Sequence, residues 1–150
     1  VNDLEIRPAT IDDVPAIVAM LADDPLGATR ETDAGDSRYL QAFREIAADP
    51  QQKLVVAVRE AVVVGTLQLT VIPGLSRTGS KRGLIEAVRV RTDQRGGGIG
   101  RQLFEWAIAE ARRSGCVIVQ LTTDRSRVDA HRFYESLGFE GSHLGMKLTL

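Results

Sequence analysis

The run from Leu84 to Arg113 constrains this chain more than any other part of it. LIEAVRV, Leu84 to Val90, is a short apolar, β-rich stretch. RTDQRGGGIGRQL follows, with glycines at positions 96, 97, 98 and 100, and Leu103, Phe104, Ala107, Ile108 and Ala111 then recur at helical spacing. Strand, glycine turn and amphipathic helix in direct succession belong to folds that layer helices on a sheet.

The glycines admit few ligand readings. A nucleoside triphosphate loop places Lys and Ser or Thr directly after its last glycine, whereas Gly100 precedes Arg101 and Gln102. A dinucleotide cradle needs G-x-G-x-x-G/A near the start of a βαβ unit and an acidic residue about 20 positions on, and no register of these glycines completes it. What fits is R-x-x-G-x-G on Arg95, Gly98 and Gly100, ahead of a helix that begins near Gly98. Backbone N–H groups at the positive end of a helix, with no Cβ in the way, suit a pyrophosphate. The bland alternative is a glycine-rich turn, in which Gly96 and Gly97 only ease the bend.

The rest of the chain punctuates itself. LEIRPA, residues 4 to 9, alternates and stops at Pro8, as a first edge strand does. Thr10 and Asp13 form a capping box before a helix over about 11 to 23, and SRYLQAFREIAAD predicts a second helix after an exposed loop. Lys53 to Ile72 reads as an antiparallel hairpin broken around 59 to 61, with Gly65 at a bulge or a close backbone approach. PGLSRTGSKRG, residues 73 to 83, reads as a flexible basic loop. Gly115 ends the long helix, and CVIVQLTT reads as a strand buried on both faces. RVDAHRFYESLGF predicts a short helix ending at Gly138, and the tail alternates like a final hairpin pair.

Composition narrows the function classes. A chain of 150 residues predicts one domain, 1–150, with an ordinary core. Net charge is −1 and the charged fraction 26%, so bulk electrostatics favour neither nucleic acid nor an anionic membrane. One cysteine, Cys116, forbids an internal disulfide and a cysteine-rich metal site. No run offers the roughly 20 apolar residues of a spanning helix, and no signal-peptide pattern opens the chain. These features predict a soluble, cytoplasmic protein.

With these segments in place, the sequence resembles the GCN5-related N-acetyltransferase (GNAT) family, whose signature R/Q-x-x-G-x-G/A follows its fourth strand. IRPATIDDVPAI is similar to the family's opening strand and helix, and AHRFYESLGFE to its closing motif. The string from Thr122 to His143 is similar to a subgroup that includes aminoalkylphosphonate acetyltransferases. The resemblance implies an α/β (α+β) fold: a mixed, mostly antiparallel sheet of six to seven strands, about four flanking helices, and splayed fourth and fifth strands. It implies acetyl-CoA as co-substrate, its pyrophosphate on Arg95, Gly96, Gly97, Gly98, Ile99, Gly100 and Arg101. The pantetheine arm would pair with the backbone of Val88, Arg89 and Val90.

Acetyl transfer to an amine needs a neutral amine, a stabilised oxyanion and a protonated leaving thiolate. Glu86 lies four residues before Val90, and period two puts it on one face with Val88 and Val90. A carboxylate among apolar neighbours is pushed up toward a base that works near neutrality. Its alternative is an ion pair with an arginine; the resemblance implies a general base acting through water. Tyr134 matches the family tyrosine that protonates the thiolate, its alternative being a core tyrosine, and the resemblance assigns the oxyanion to the Val88 N–H. Where many members carry Asn seven residues before the tyrosine, this chain has Arg127, which either contacts the co-substrate or is solvated. His131 and His143 have no partner at metal-ligand spacing, and no metal is expected.

The expected acceptor is the primary amine of a small molecule, held between loops 23–38 and 73–83. The first carries Asp23, Asp24, Glu31, Asp33 and Asp36, the second Arg77, Lys81 and Arg82. An acidic loop at the site would favour a cationic amine, a basic one an amine bearing carboxylate or phosphonate, and solvation explains both loops equally. Alternatives are a peptide N-terminus or lysine as acceptor, or a non-catalytic acyl-CoA-binding module. The resemblance also makes a homodimer plausible.

Overall fold

Strand β1 (Glu5–Pro8) is the first edge of a five-stranded sheet in the order β1-β2-β3-β4-β5, in a computed structural model that describes residues 3–150. The remaining strands are β2 (Gln52–Arg59), β3 (Val62–Ile72), β4 (Lys81–Val90) and β5 (Cys116–Gln120). Four longer helices flank them, α1 (Val14–Ala22), α2 (Ser37–Ala48), α3 (Ile99–Arg113) and α4 (Val128–Ser136), and a four-residue helical segment, Ser76–Gly79, lies in the loop before β4. All neighbouring strands are antiparallel except β4 and β5, which α3 connects in parallel.

Local chemistry explains most of these boundaries. The Asp13 carboxylate accepts the Thr10 N–H at 2.7 Å and the Arg7 guanidinium at 2.7 and 3.0 Å, fixing the passage from β1 into a 3-10 turn (Ile11–Asp13) and then α1. Glu60 and Ala61, both at positive φ, make the two-residue β2–β3 turn. Gly65 answers to both sequence expectations. The register slips beside it between Ala57 and Val58, and a Cβ there would lie 3.1 Å from Leu103 and 3.2 Å from Ile99. Its bare Cα therefore admits the first turns of α3 against the sheet.

Helix α3 buries Ile99, Leu103, Phe104, Ala107 and Ala111 against Val55, Ala57, Leu67, Leu69 and Ile85. Glu110 falls in the same buried stripe. Its carboxyl is held below the usual range first by the Arg113 guanidinium, while Lys53 lies 3.5 Å away. Helices α1 and α2 contact β2, β3 and β4 and cover the opposite face, where Val56 is fully buried.

Four expectations need correction. The sheet has five strands, not six or seven. The tail forms no hairpin: residues 143–150 make no backbone hydrogen bond among the described residues, and Leu144, Met146, Leu148 and Leu150 are exposed. An alternating segment becomes a strand only beside a free edge, and the tail takes none within the chain. Strand β5 is not buried on both faces, because it is the last strand of the sheet and Val117 and Ile118 stand in solvent. Loop 73–83 is shorter than expected, since pairing with β3 and β5 draws Lys81, Arg82 and Gly83 into β4.

Candidate functional site

Strand β4 parts from β5 midway. Lys81, Arg82, Gly83 and Leu84 pair with Cys116, Ile118, Val119 and Gln120, and from Ile85 to Val90 no pairing continues on that side. The fourth and fifth strands are splayed, as expected for the fold.

On its other side β4 carries a bulge. Gln68 pairs with Glu86 and Thr66 with Arg89, so Ala87 and Val88 together oppose Leu67, and Ala87 takes a left-handed φ of 53°. A residue inserted in one strand inverts the facing of everything after it. Glu86 is therefore not on one face with Val88 and Val90: those valines pack with Ile85 toward α3, whereas Glu86 and Arg89 share the α1–α2 face. Nor is Glu86 buried; it is exposed. The alternative role, an ion pair with an arginine, is not seen, since Glu86 makes no ion pair among the described residues.

A cavity of about 70 Å³ sits at the splay and gathers Glu86, Val88, Arg89, Phe104, Arg127 and Tyr134. Tyr134 reaches it from α4 through an aromatic cluster, its ring 5.5 Å from Phe104, 5.8 Å from Phe133 and 6.3 Å from Phe139. Those contacts fix the ring while its hydroxyl makes no hydrogen bond among the described residues. His131 does not line the cavity; its Nε2 lies 3.0 Å from the Asp124 carbonyl and ties α4 to the preceding turn.

Between β4 and α3, Arg95, Gly96, Gly97 and Gly98 are exposed and Gly100 is half-buried. Gly98 occupies the N-cap position of α3 at φ 83° and no side chain caps the helix, so its first N–H groups have no side-chain acceptor. Gly96 also has positive φ, at 82°, whereas Gly97 does not. A Cβ on Gly100 would meet Phe133 at 3.8 Å and Val90 at 3.9 Å, ordinary contacts. Arg95 donates to the Val90 carbonyl at 3.2 Å, and Arg101 crosses to Ser136 at 3.0 Å, bracing α3 on α4. An uncapped helix start beside an unpaired strand edge fits the pyrophosphate and pantetheine of a coenzyme A thioester.

Two features of the site escaped the sequence reading: that Asp24, one of the carboxylates of loop 23–38, pairs with Arg89, and that Gly27 shapes the turn carrying it. Asp24 reaches Arg89, its Oδ2 3.1 Å from Arg89 Nε. Gly27 makes that reach possible: its N–H donates to Asp24 Oδ1 at 2.5 Å, and a Cβ on it would lie 1.8 Å from the Leu21 carbonyl oxygen. Asp24-Pro25-Leu26-Gly27 is the sequence of a type I turn, and that was the available signal. The Gly27 N–H is the largest influence holding the Asp24 carboxyl below its ordinary range, with the Arg89 charge adding to it. Burial pulls Arg89 down, Asp24 opposes that, and Arg127 and Arg30 add like charge. The basic residues of loop 73–83 do not line the cavity.

The comparisons with known proteins agree with this geometry. The acetyltransferase (GNAT) family profile matches residues 17–139. The chain belongs to the GNAT acetyltransferase family. It is 31% identical over 139 residues to an aminoalkylphosphonate N-acetyltransferase of Salmonella typhimurium, covering 93% of this chain and 86% of that protein. It is 34% identical to a glucosamine 6-phosphate N-acetyltransferase of Trypanosoma brucei brucei over 88 residues, 59% of this chain and 58% of that one. A crystal structure from Bacillus halodurans, described as a transcriptional regulator, superposes with a TM-score of 0.95 at 47% identity, over 98% of this chain and 99% of that one. Members of the GNAT family use acetyl-CoA as co-substrate, and the relatives support an N-acetyltransferase activity. No helix among the described residues is long and apolar enough to cross a membrane.

Proposed function

We propose that this chain moves an acetyl group from acetyl-CoA directly to the primary amine of a small molecule, with Glu86 as general base and Tyr134 as general acid. The observation that carries the reading is that both side chains line one cavity where β4 and β5 part. In it, residues 95–101 hold the pyrophosphate and the backbone of Val88, Arg89 and Val90 receives the pantetheine arm. The co-substrate supplies the activated acetyl group and a good leaving sulfur.

The chain's own groups do the rest. Glu86, exposed on the α1–α2 face, takes the proton of the ammonium through a water. The N–H of Val88, beside the bulge, donates to the carbonyl oxygen as charge develops on it. The Tyr134 hydroxyl, free of competing bonds, gives its proton to the sulfur. Phe104 and Leu121 give the slot its apolar wall.

The Salmonella and Trypanosoma relatives are named for small-molecule acceptors, which favours a small amine over a peptide. The working unit we propose is a homodimer in the cytoplasm, built on the exposed apolar tail and the free edge of β5.

The test is a panel of primary amines with acetyl-CoA, read as free thiol released. Turnover with a small amine supports the reading. Acetyl-CoA binding with no thiol released from any amine supports a non-catalytic module, and turnover confined to peptides supports a peptide acetyltransferase.

A further inference from the structure

Arg89 is a costly residue to place where it is. Its side chain is 15% exposed, yet its donors are only partly used: Nη1 donates to the Val88 carbonyl at 2.9 Å, and Nε, itself buried, lies 3.1 Å from Asp24 Oδ2 without making a hydrogen bond to it. A guanidinium built for structure is normally met by an aligned, bidentate carboxylate, because partial satisfaction leaves the burial cost unmet.

A second guanidinium lines the same cavity. Arg127 enters from the N-cap position of α4 and makes no hydrogen bond or ion pair through its side chain among the described residues. Two cations therefore share this site with the Asp24 carboxylate and with Glu86, which makes no ion pair to either among the described residues. Glu86 and Arg89 share a sheet face and pair with Gln68 and Thr66, two residues apart on β3, which spaces them by roughly 7 Å along the strand.

We propose that Arg89 and Arg127 bind an oxyanion of the acceptor, a phosphonate, phosphate or carboxylate a few bonds from its primary amine, and that this group displaces Asp24 from Arg89. The acceptor is then a short zwitterion with its amine at Glu86 and its anion at Arg89. This rests on the transfer reaction proposed above and moves Arg127 from the co-substrate to the acceptor. Asp24 competes with the substrate for Arg89 and keeps that buried charge compensated between turnovers.

The experiment compares kcat/KM for three amines of similar length, 2-aminoethylphosphonate, β-alanine and propylamine, in the wild-type protein and in Arg127→Gln, Arg89→Gln and Asp24→Asn. Wild type should prefer at least one anionic amine to propylamine by about tenfold or more. Which anion wins tells a tetrahedral from a planar group. Arg127→Gln and Arg89→Gln should each collapse that preference about tenfold, and Asp24→Asn should lower KM for the anionic amine severalfold. Arg127 is exposed, so its variant reads the site even where Arg89→Gln fails to fold.

A wild type that favours propylamine, or a preference unchanged in Arg127→Gln, overturns the proposal. Titration calorimetry with 2-aminoethylphosphonate separates its failure from that of the enzyme reading. Binding that Arg127→Gln weakens, with no amine acetylated, sinks only the chemistry. Turnover of propylamine alone, with no binding of the anionic amine, sinks only the anion site.

Discussion

At the scale of single residues, the cavity separates chemistry from support. Glu86→Gln should lower kcat at neutral pH by about 10²–10⁴-fold, and Tyr134→Phe should slow turnover through poorer thiolate protonation. Steady-state kinetics with thiol detection checks both, and unchanged turnover in the pair removes these assignments. Gly27→Ala belongs with the scaffold: its Cβ meets the Leu21 carbonyl oxygen at 1.8 Å, so the loop has to shift, at a cost of about 1–3 kcal/mol read by chemical denaturation. Asp13 links pH to stability. Hydrogen bonds from Arg7 chiefly hold its carboxyl below the ordinary value, and its unfolded value is the higher one. That contribution is fully present above the unfolded value and disappears as pH falls through the folded one, so stability should drop below roughly pH 4. Asp13→Asn should flatten that part of a stability profile measured against pH.

At the scale of elements, two devices shape the site, and each discriminates between neighbouring substitutions. Gly98 caps α3 at φ 83°, where an L side chain is strained even though a Cβ meets nothing within 4 Å. Gly98→Ala should cost about 1–2 kcal/mol and weaken coenzyme A binding in calorimetry. Gly97→Ala, with ordinary φ and its Cβ 3.6 Å from the Gln94 carbonyl oxygen, should leave stability nearly unchanged. Equal effects from the two would contradict the N-cap role. Phe104 joins α3 to the Tyr134 cluster and is almost wholly buried, so Phe104→Ala should cost about 3–5 kcal/mol by denaturation and loosen the ring that holds the acid. The β4 bulge is the other device. It sits at Ala87, turns Glu86 and Arg89 toward the α1–α2 face, and leaves Val88 and Val90 on the core face.

At the scale of the whole molecule, the apolar tail and the β5 edge are the unfinished part of the surface. Leu144, Met146, Leu148 and Leu150 repeat every second residue and stand in solvent, beside a sheet that ends in exposed Val117 and Ile118. Light scattering after gel filtration should give twice the chain mass of 16.3 kDa, and the double variant Met146→Glu, Leu148→Glu should return it to the single mass. A monomeric wild type would remove the homodimer. The sequence by itself determined the order of nine elements, the capping of α1 and the glycine loop ahead of α3. Those rest on periodicity, caps and turn chemistry, which act between residues a few positions apart. Only the tertiary structure decided which way Glu86 faces, that β5 is an edge, that the tail finds no strand, and that Asp24 meets Arg89. Each of these depends on register or charge pairing between segments distant in the chain, and one bulged residue at Ala87 is enough to invert a period-two reading.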